Sequence, residues 1–265
     1  FAGVGVLSGG LIITNNVMAF GLSPMNQKIV LSPGDSYRDT LTIVNTINGE
    51  RSFHYKIAVQ PFSMDGNTNI YDSYSDHTLI TDWITVLDGE KGVVEPNSTK
   101  EIEYIVNVPE TAPGGGQYAA IMVTADNDAT VEDGAYGIQE NMAIAYLLYA
   151  EIAGDTVRRG EIISTEVPSF LLSGNITGSA TIKNTGNVHG MATYTLQVFP
   201  LFSDEELYTN EENPNSMVIL PDGTYYAETS WDQTPDIGIF NVVYTVEFEG
   251  VTAQVSKMVI KCPIW

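Results

Sequence analysis

The chain has 265 residues, with 33 acidic against 11 basic side chains and a formal net charge of −22 at neutral pH. That balance repels nucleic acid and anionic lipid, which need Lys and Arg to displace counterions, and reads first as a well-solvated surface. Cys262 is the only cysteine, which excludes an internal disulfide and a thiolate metal site; the length suits two sandwiches of about 100 residues each.

The first charged residue is Lys28. The apolar stretch over residues 4–13, the polar Thr14-Asn15-Asn16 and the small residues around Val17-Met18-Ala19 resemble the end of a secretory signal, so residues 1–21 are expected to be a truncated leader. Its apolar run, broken by glycines, falls short of the roughly 20 residues that span a bilayer.

The first domain is expected over residues 22–153. Lys28-Ile29-Val30-Leu31 is a short strand, Ser32-Pro33-Gly34-Asp35 a turn, and residues 37–44 and 54–60 a pair of alternating strands. Residues 62–81 lose all periodicity and are expected to form a long loop. Its Tyr71, Asp72, Tyr74 and His77 are the candidate binding residues; the same tyrosines could equally pin the loop to its own sandwich.

Residues 82–87 are expected as a strand with Trp83 in the core. Residues 101–108 alternate, with Ile102, Tyr104, Val106 and Val108 on one face. Gly114-Gly115-Gly116 then permits close backbone approach, and because a strand follows, not a helix, it is no phosphate cradle. Asp126, Asp128 and Asp133 either hold calcium weakly or mark a solvated hairpin tip; their spacing fits no EF-hand. Residues 136–152 read as a strand completing the first sandwich, with a strand pair or a short helix as alternatives.

The second domain is expected over residues 154–261, with strands near 161–167, 177–183, 191–199, 224–231, 239–248 and 251–260. Residues 203–212 form an acidic connector, read as a solvated face. Residues 262–265 are expected to begin a removed transmembrane helix.

The two domains repeat one pattern. In each, an alternating run ends on Asn45 or Asn184, a Gly-containing turn follows, and a second run begins at Tyr55 or Tyr194. Val94-Glu95-Pro96 is echoed by Ile219-Leu220-Pro221, and Gly116-Gln117-Tyr118 by Gly238-Ile239-Phe240. The fold class is therefore all-β, with two tandem immunoglobulin-like β-sandwich domains. Asn45 and Asn184 are expected to cap their turns through the side-chain amide.

Catalysis would need a nucleophile with its base, a metal site, or paired carboxylates in a cleft. His54, His77 and His189 stand in unlike contexts and none has metal-ligand spacing, so neither an enzyme nor a cofactor is expected.

Ser32-Pro33-Gly34-Asp35, Val44-Asn45, Asp82-Trp83-Ile84, Glu95-Pro96, Val108-Pro109 and Gly115-Gly116-Gln117-Tyr118, followed by Lys183-Asn184-Thr185-Gly186-Asn187 and Leu220-Pro221-Asp222, occur in the order of the WxL-interacting surface proteins of Gram-positive bacteria. The resemblance spans roughly residues 24–260. It implies an exported, membrane-anchored bacterial cell-surface protein without enzymatic activity, whose first domain attaches to peptidoglycan and whose second binds a partner protein. Two further readings are an assembly chaperone of periplasmic type, accepting a partner's strand at a sheet edge beside a basic residue such as Arg158 or Arg159, and an accessory module of a carbohydrate-active enzyme built on residues 71–83.

Overall fold

The computed structural model describes residues 20–45, 52–126 and 142–262. Phe20–Ser23 (β1) and Asn26–Leu31 (β2) open the first sandwich, followed by Ser36–Asn45 (β3), Phe53–Asp65 (β4) and Thr68–Tyr71 (β5). A 3-10 turn, Leu79–Trp83, leads to Ile84–Val86 (β6), Lys91–Val94 (β7), Thr99–Asn107 (β8), Gly115–Asp126 (β9) and Ala143–Ile152 (β10). One sheet has the order β1-β3-β8-β6, the other β2-β10-β9-β4-β5 with β7 beside β4.

Alternation decides which side chains enter the core. On β8, Ile102, Tyr104 and Val106 point inward and are fully buried, as their period of two requires. They meet Ile121, Val123, Tyr146 and Leu148 from the opposite sheet, and the buried hydroxyls of Tyr104 and Tyr146 satisfy one another at 2.8 Å.

The second sandwich comprises Gly160–Glu166 (β11), Phe170–Leu171 (β12), Ile176–Asn184 (β13), Gly190–Pro200 (β14), Tyr208–Thr209 (β15), Asn215–Ile219 (β16), Thr224–Trp231 (β17), Gly238–Phe248 (β18) and Val251–Lys261 (β19). Its sheets are β11-β13-β17 and β12-β19-β18-β14-β15, with β16 along β14. Glu249 and Gly250, both at positive φ, form the two-residue turn between β18 and β19.

The repeat is visible in the topology. In each unit the first strand pairs within one sheet and the next lies parallel to the last strand of the other, as β2 does on β10 and β12 on β19. A proline, Pro24 or Pro168, lies at each crossing. The two asparagines hold equivalent places: Asn45 Nδ2 donates to the carbonyls of Val94 and Glu95, and Asn184 Nδ2 to those of Val188 and Ile219. Each amide ties a strand end to the segment before its proline turn, and both are buried.

Several expectations need correction. Residues 62–81 are not one loop: β4 continues to Asp65 and returns as β5 through a tight turn at Gly66, whose φ of 56° suits glycine. The segment showed no alternation because Phe62 is buried while β5 stays largely exposed. Asp82 and Trp83 belong to the 3-10 turn, not to a strand, although Trp83 still packs on the core. The acidic connector includes β15, where Tyr208 pairs with Val198 and stacks on Trp231. The first strand begins at Phe20, inside the stretch read as leader; the rest of that stretch, residues 1–19, lies outside the described residues, as do Asp128, Asp133 and residues 263–265.

Candidate protein-binding face at the domain junction

Two strands of the first sandwich break the usual pattern of a solvated sheet. β9 reads Gln117-Tyr118-Ala119-Ala120-Ile121-Met122-Val123 and β10 reads Ala143-Ile144-Ala145-Tyr146-Leu147-Leu148-Tyr149, apolar on both faces. Continuous apolar runs belong to strands covered on both sides. Here the inner face packs the core, and the outer face carries a second cluster.

In that cluster Phe62, Tyr118 and Ala120 are buried beneath Leu220 of the second sandwich. Around them Met64, Tyr71, Met122, Ala145, Leu147 and Tyr149 remain only partly buried. The second sandwich thus covers one end of an apolar face and leaves the other accessible. Phe62, Tyr71, Tyr118 and Tyr149 form an edge-to-face and stacked array, with centroids 5.6 to 6.1 Å apart.

Hydrogen bonds fix the covered end. The Tyr118 hydroxyl accepts from the His189 N–H at 2.8 Å and lies 3.3 Å from His189 Nδ1. Gly116 N–H donates to the Asn187 carbonyl at 2.7 Å. Asn187 binds the connector, its Oδ1 accepting from Val157 N–H and its Nδ2 donating to the Asp155 carbonyl. Arg158 pairs with Glu151 and donates to the His189 carbonyl. A side chain at Gly114 would strike the Gly154-Asp155 backbone, so glycine there permits the close approach.

A third tie lies at the tip of the β4–β5 hairpin. The Asn67 amide acts as a strand partner for Tyr226 on β17, donating to its carbonyl at 2.9 Å and accepting from its N–H at 2.8 Å.

Burial dominates the electrostatics of this junction. His189 is pushed down to about 4, first by desolvation and then by the positive charge of Lys28. Desolvation raises Tyr149 to about 12 and lifts Tyr118 as well.

One edge of β10 is half covered. β2 pairs with residues 147–152, and Leu147 N–H donates to the Met25 carbonyl across that edge. Ala145 and Ala143, two and four positions earlier, direct their N–H and C=O the same way, where β2 offers no partner.

The sequence-derived candidates fall in different places. Tyr71 ends β5 and stacks on Phe62 as part of the apolar cluster. Asp72 takes a left-handed φ of 63° just beyond it. Tyr74 is 74% exposed. His77 is tied to β9, its Nδ1 3.0 Å from the Gly116 carbonyl and its own carbonyl accepting from Tyr118 N–H. Arg158 is engaged in the junction, whereas Lys28, directly opposite Tyr149 in the β2–β10 register, is an exposed cation beside the face. Sequence reading missed Met122, Leu147 and Tyr149; the signal was the loss of polar alternation in β9 and β10. Among the described residues, no three His, Cys, Asp or Glu converge to hold a metal, and no helix is long and apolar enough to cross a membrane.

No protein-family profile and no curated protein matches the chain. Among solved structures, it is similar to the class 5 fimbriae chaperone CfaA, with 15% identity over 93% of this chain and 100% of that chain, at a TM-score of 0.42. It is also similar to the Escherichia coli chaperone DraB, with 14% identity over 90% and 97% and a TM-score of 0.43. A chain of the CsuC-CsuE chaperone-tip adhesion subunit pre-assembly complex of Acinetobacter baumannii gives 13%, 83% and 92%, with a TM-score of 0.43.

Proposed function

We propose that this is an exported, non-enzymatic protein-binding module of assembly-chaperone or scaffold type, which holds an extended segment of a partner protein along the outer face of β9 and β10. The observation that carries the reading is the apolar outer face formed by Met122, Ala145, Leu147 and Tyr149, left partly uncovered beside the junction. The outward backbone groups of Ala143 and Ala145, paired by no strand among the described residues on that side, add a hydrogen-bonding edge to that surface. A partner strand there gains main-chain bonds at the edge and side-chain burial on the face, the two components of strand addition.

The WxL-interacting resemblance adds a second arm, attachment to peptidoglycan at a bacterial surface. Tyr74, an exposed aromatic among the candidate loop residues, is the side chain favouring such a contact.

Photo-cross-linking tests the proposal. The full chain carries a photoreactive residue at Met122 or Ala145, or at the exposed Met191 of the second sandwich as a control. Each is exposed to envelope protein extract and, separately, to purified peptidoglycan. One protein captured from Met122 and Ala145 but not from Met191, and lost on Met122→Glu, is the expected result. Equal capture from all three positions, or retention by peptidoglycan alone, contradicts it.

A further inference from the structure

We propose that the uncovered edge of β19 is a second strand-docking site, taking an extended apolar segment flanked by Lys or Arg from a partner protein. It goes beyond the junction reading and uses the other sandwich.

The two sandwiches guard their last strands unequally. β2 covers residues 147–152 of β10, but β12 reaches only Ile260 and Lys261 of β19. Ile260 N–H donates to the Ser169 carbonyl and Cys262 N–H to that of Leu171, so the even-numbered positions of β19 face away from β18. By the same parity Thr252, Gln254 and Ser256 send N–H and C=O out of the sheet, and no described strand pairs with them.

Exposed edges are ordinarily blunted by lysine, proline or a bulge. Residues 251–256 of β19, Val-Thr-Ala-Gln-Val-Ser, contain none of these. Lys257 does not guard them, because its ammonium group turns back to the Val167 carbonyl at 3.1 Å. Nearby, β11 packs alongside, and its register shift between Ile162 and Ser164 leaves Ile163 53% exposed. Val251 adds a further exposed apolar side chain at the start of the edge.

Charge selects the occupant. Glu247 stands opposite Thr252; Glu249 in the adjoining turn directs its carboxylate toward Gly190 of β14, and Glu161 of β11 faces Lys183, so the negative field at the edge comes from Glu247 and from the chain's net charge of −22. A second copy would bring another net charge of −22 to the same edge. A foreign strand with cationic ends gains where a second copy is repelled.

The test measures amide exchange in the full chain. The probe is a synthetic peptide of alternating Val and Thr with Lys pairs at both ends; its Glu-flanked counterpart is the control. The Lys-flanked peptide is expected to slow exchange at Thr252, Gln254 and Ser256 by about tenfold or more. Gln254→Pro removes an outward N–H at an edge position that tolerates proline, and should abolish protection at Thr252 and Ser256. Slow amides at Ala253 and Val255, which face β18, then certify the fold. Ser256→Arg, which leaves the backbone intact, should weaken preference for the Lys-flanked peptide. Met122→Glu disables the junction face and should leave this protection unchanged. No protection by either peptide, protection indifferent to Gln254→Pro, or protection by dimerisation without peptide overturns the proposal.

Discussion

The Tyr118 hydroxyl and His189 meet across the boundary between the sandwiches, the oxygen 2.8 Å from the His189 backbone nitrogen and 3.3 Å from Nδ1. Tyr118 sits on the outer face of β9 and is 1% exposed, so this polar contact lies inside the apolar cluster. Tyr118→Phe leaves the partly buried His189 N–H unpaired and should cost about 1 kcal/mol at the junction. Gly116→Ala, whose methyl meets the same hydroxyl, should act in the same direction. Urea unfolding, with amide exchange at Gly116 and His189, checks both.

His189 also confers a pH dependence. Its folded value of about 4 lies below the ordinary 6.5, so between these values the unfolded chain binds more protons than the folded one. The contribution to stability is complete above about 6.5 and is lost as pH falls toward 4. Unfolding midpoints across that window should fall more steeply for the unmodified chain than for His189→Gln. Parallel curves would refute this assignment.

Asn184 should be costly to replace. Its amide donates to the Val188 and Ile219 carbonyls while Oδ1 accepts from Gly186 N–H, all around a buried strand end. Asn184→Ala strands these groups and should destabilise the second sandwich by about 2–3 kcal/mol. Asn184→Asp turns a carboxylate toward two carbonyl oxygens and should be no milder. Denaturant unfolding followed by Trp231 fluorescence provides the measurement.

Asn67 governs position more than stability. Its pair of bonds to the Tyr226 backbone is solvent-exposed, so Asn67→Ala should lower stability by no more than about 1 kcal/mol. The Tyr226 amide should nevertheless exchange faster, and small-angle scattering should report a broader distribution of sandwich orientations. An unchanged Tyr226 exchange rate would mean that the hairpin tip does not hold the second sandwich.

Strand alternation made most of the fold legible. The inward set Ile102, Tyr104, Val106 and Val108 was readable, as was the cap at Asn184, whose Oδ1 accepts from Gly186 N–H in its own turn, because period and turn chemistry are local properties. The Asn45 amide instead reaches the distant Val94 and Glu95 carbonyls, and the turn that follows it lies outside the described residues. The β4–β5 hairpin was not readable, since its strands are short and β5 is mostly exposed, which erases alternation. The candidate site was harder to read for a related reason. Tyr71 could be named from the sequence, but its role as a stacking partner of Phe62 depends on a hairpin that local pattern did not disclose. Met122, Leu147 and Tyr149 were hidden in runs that looked merely buried; only the partial cover supplied by Leu220 distinguishes a core face from a binding face. Lys28 gained significance through its parallel register with Tyr149, a pairing between distant segments.

Docking of a partner's extended segment along β9 and β10 is read out by amide exchange of the full chain with and without the protein captured from Met122. New protection is expected at Ala143 and Ala145 and in the adjoining part of β9, with β13 and β17 unchanged. Protection confined to residues 72–78, or absent from β10 altogether, would contradict it.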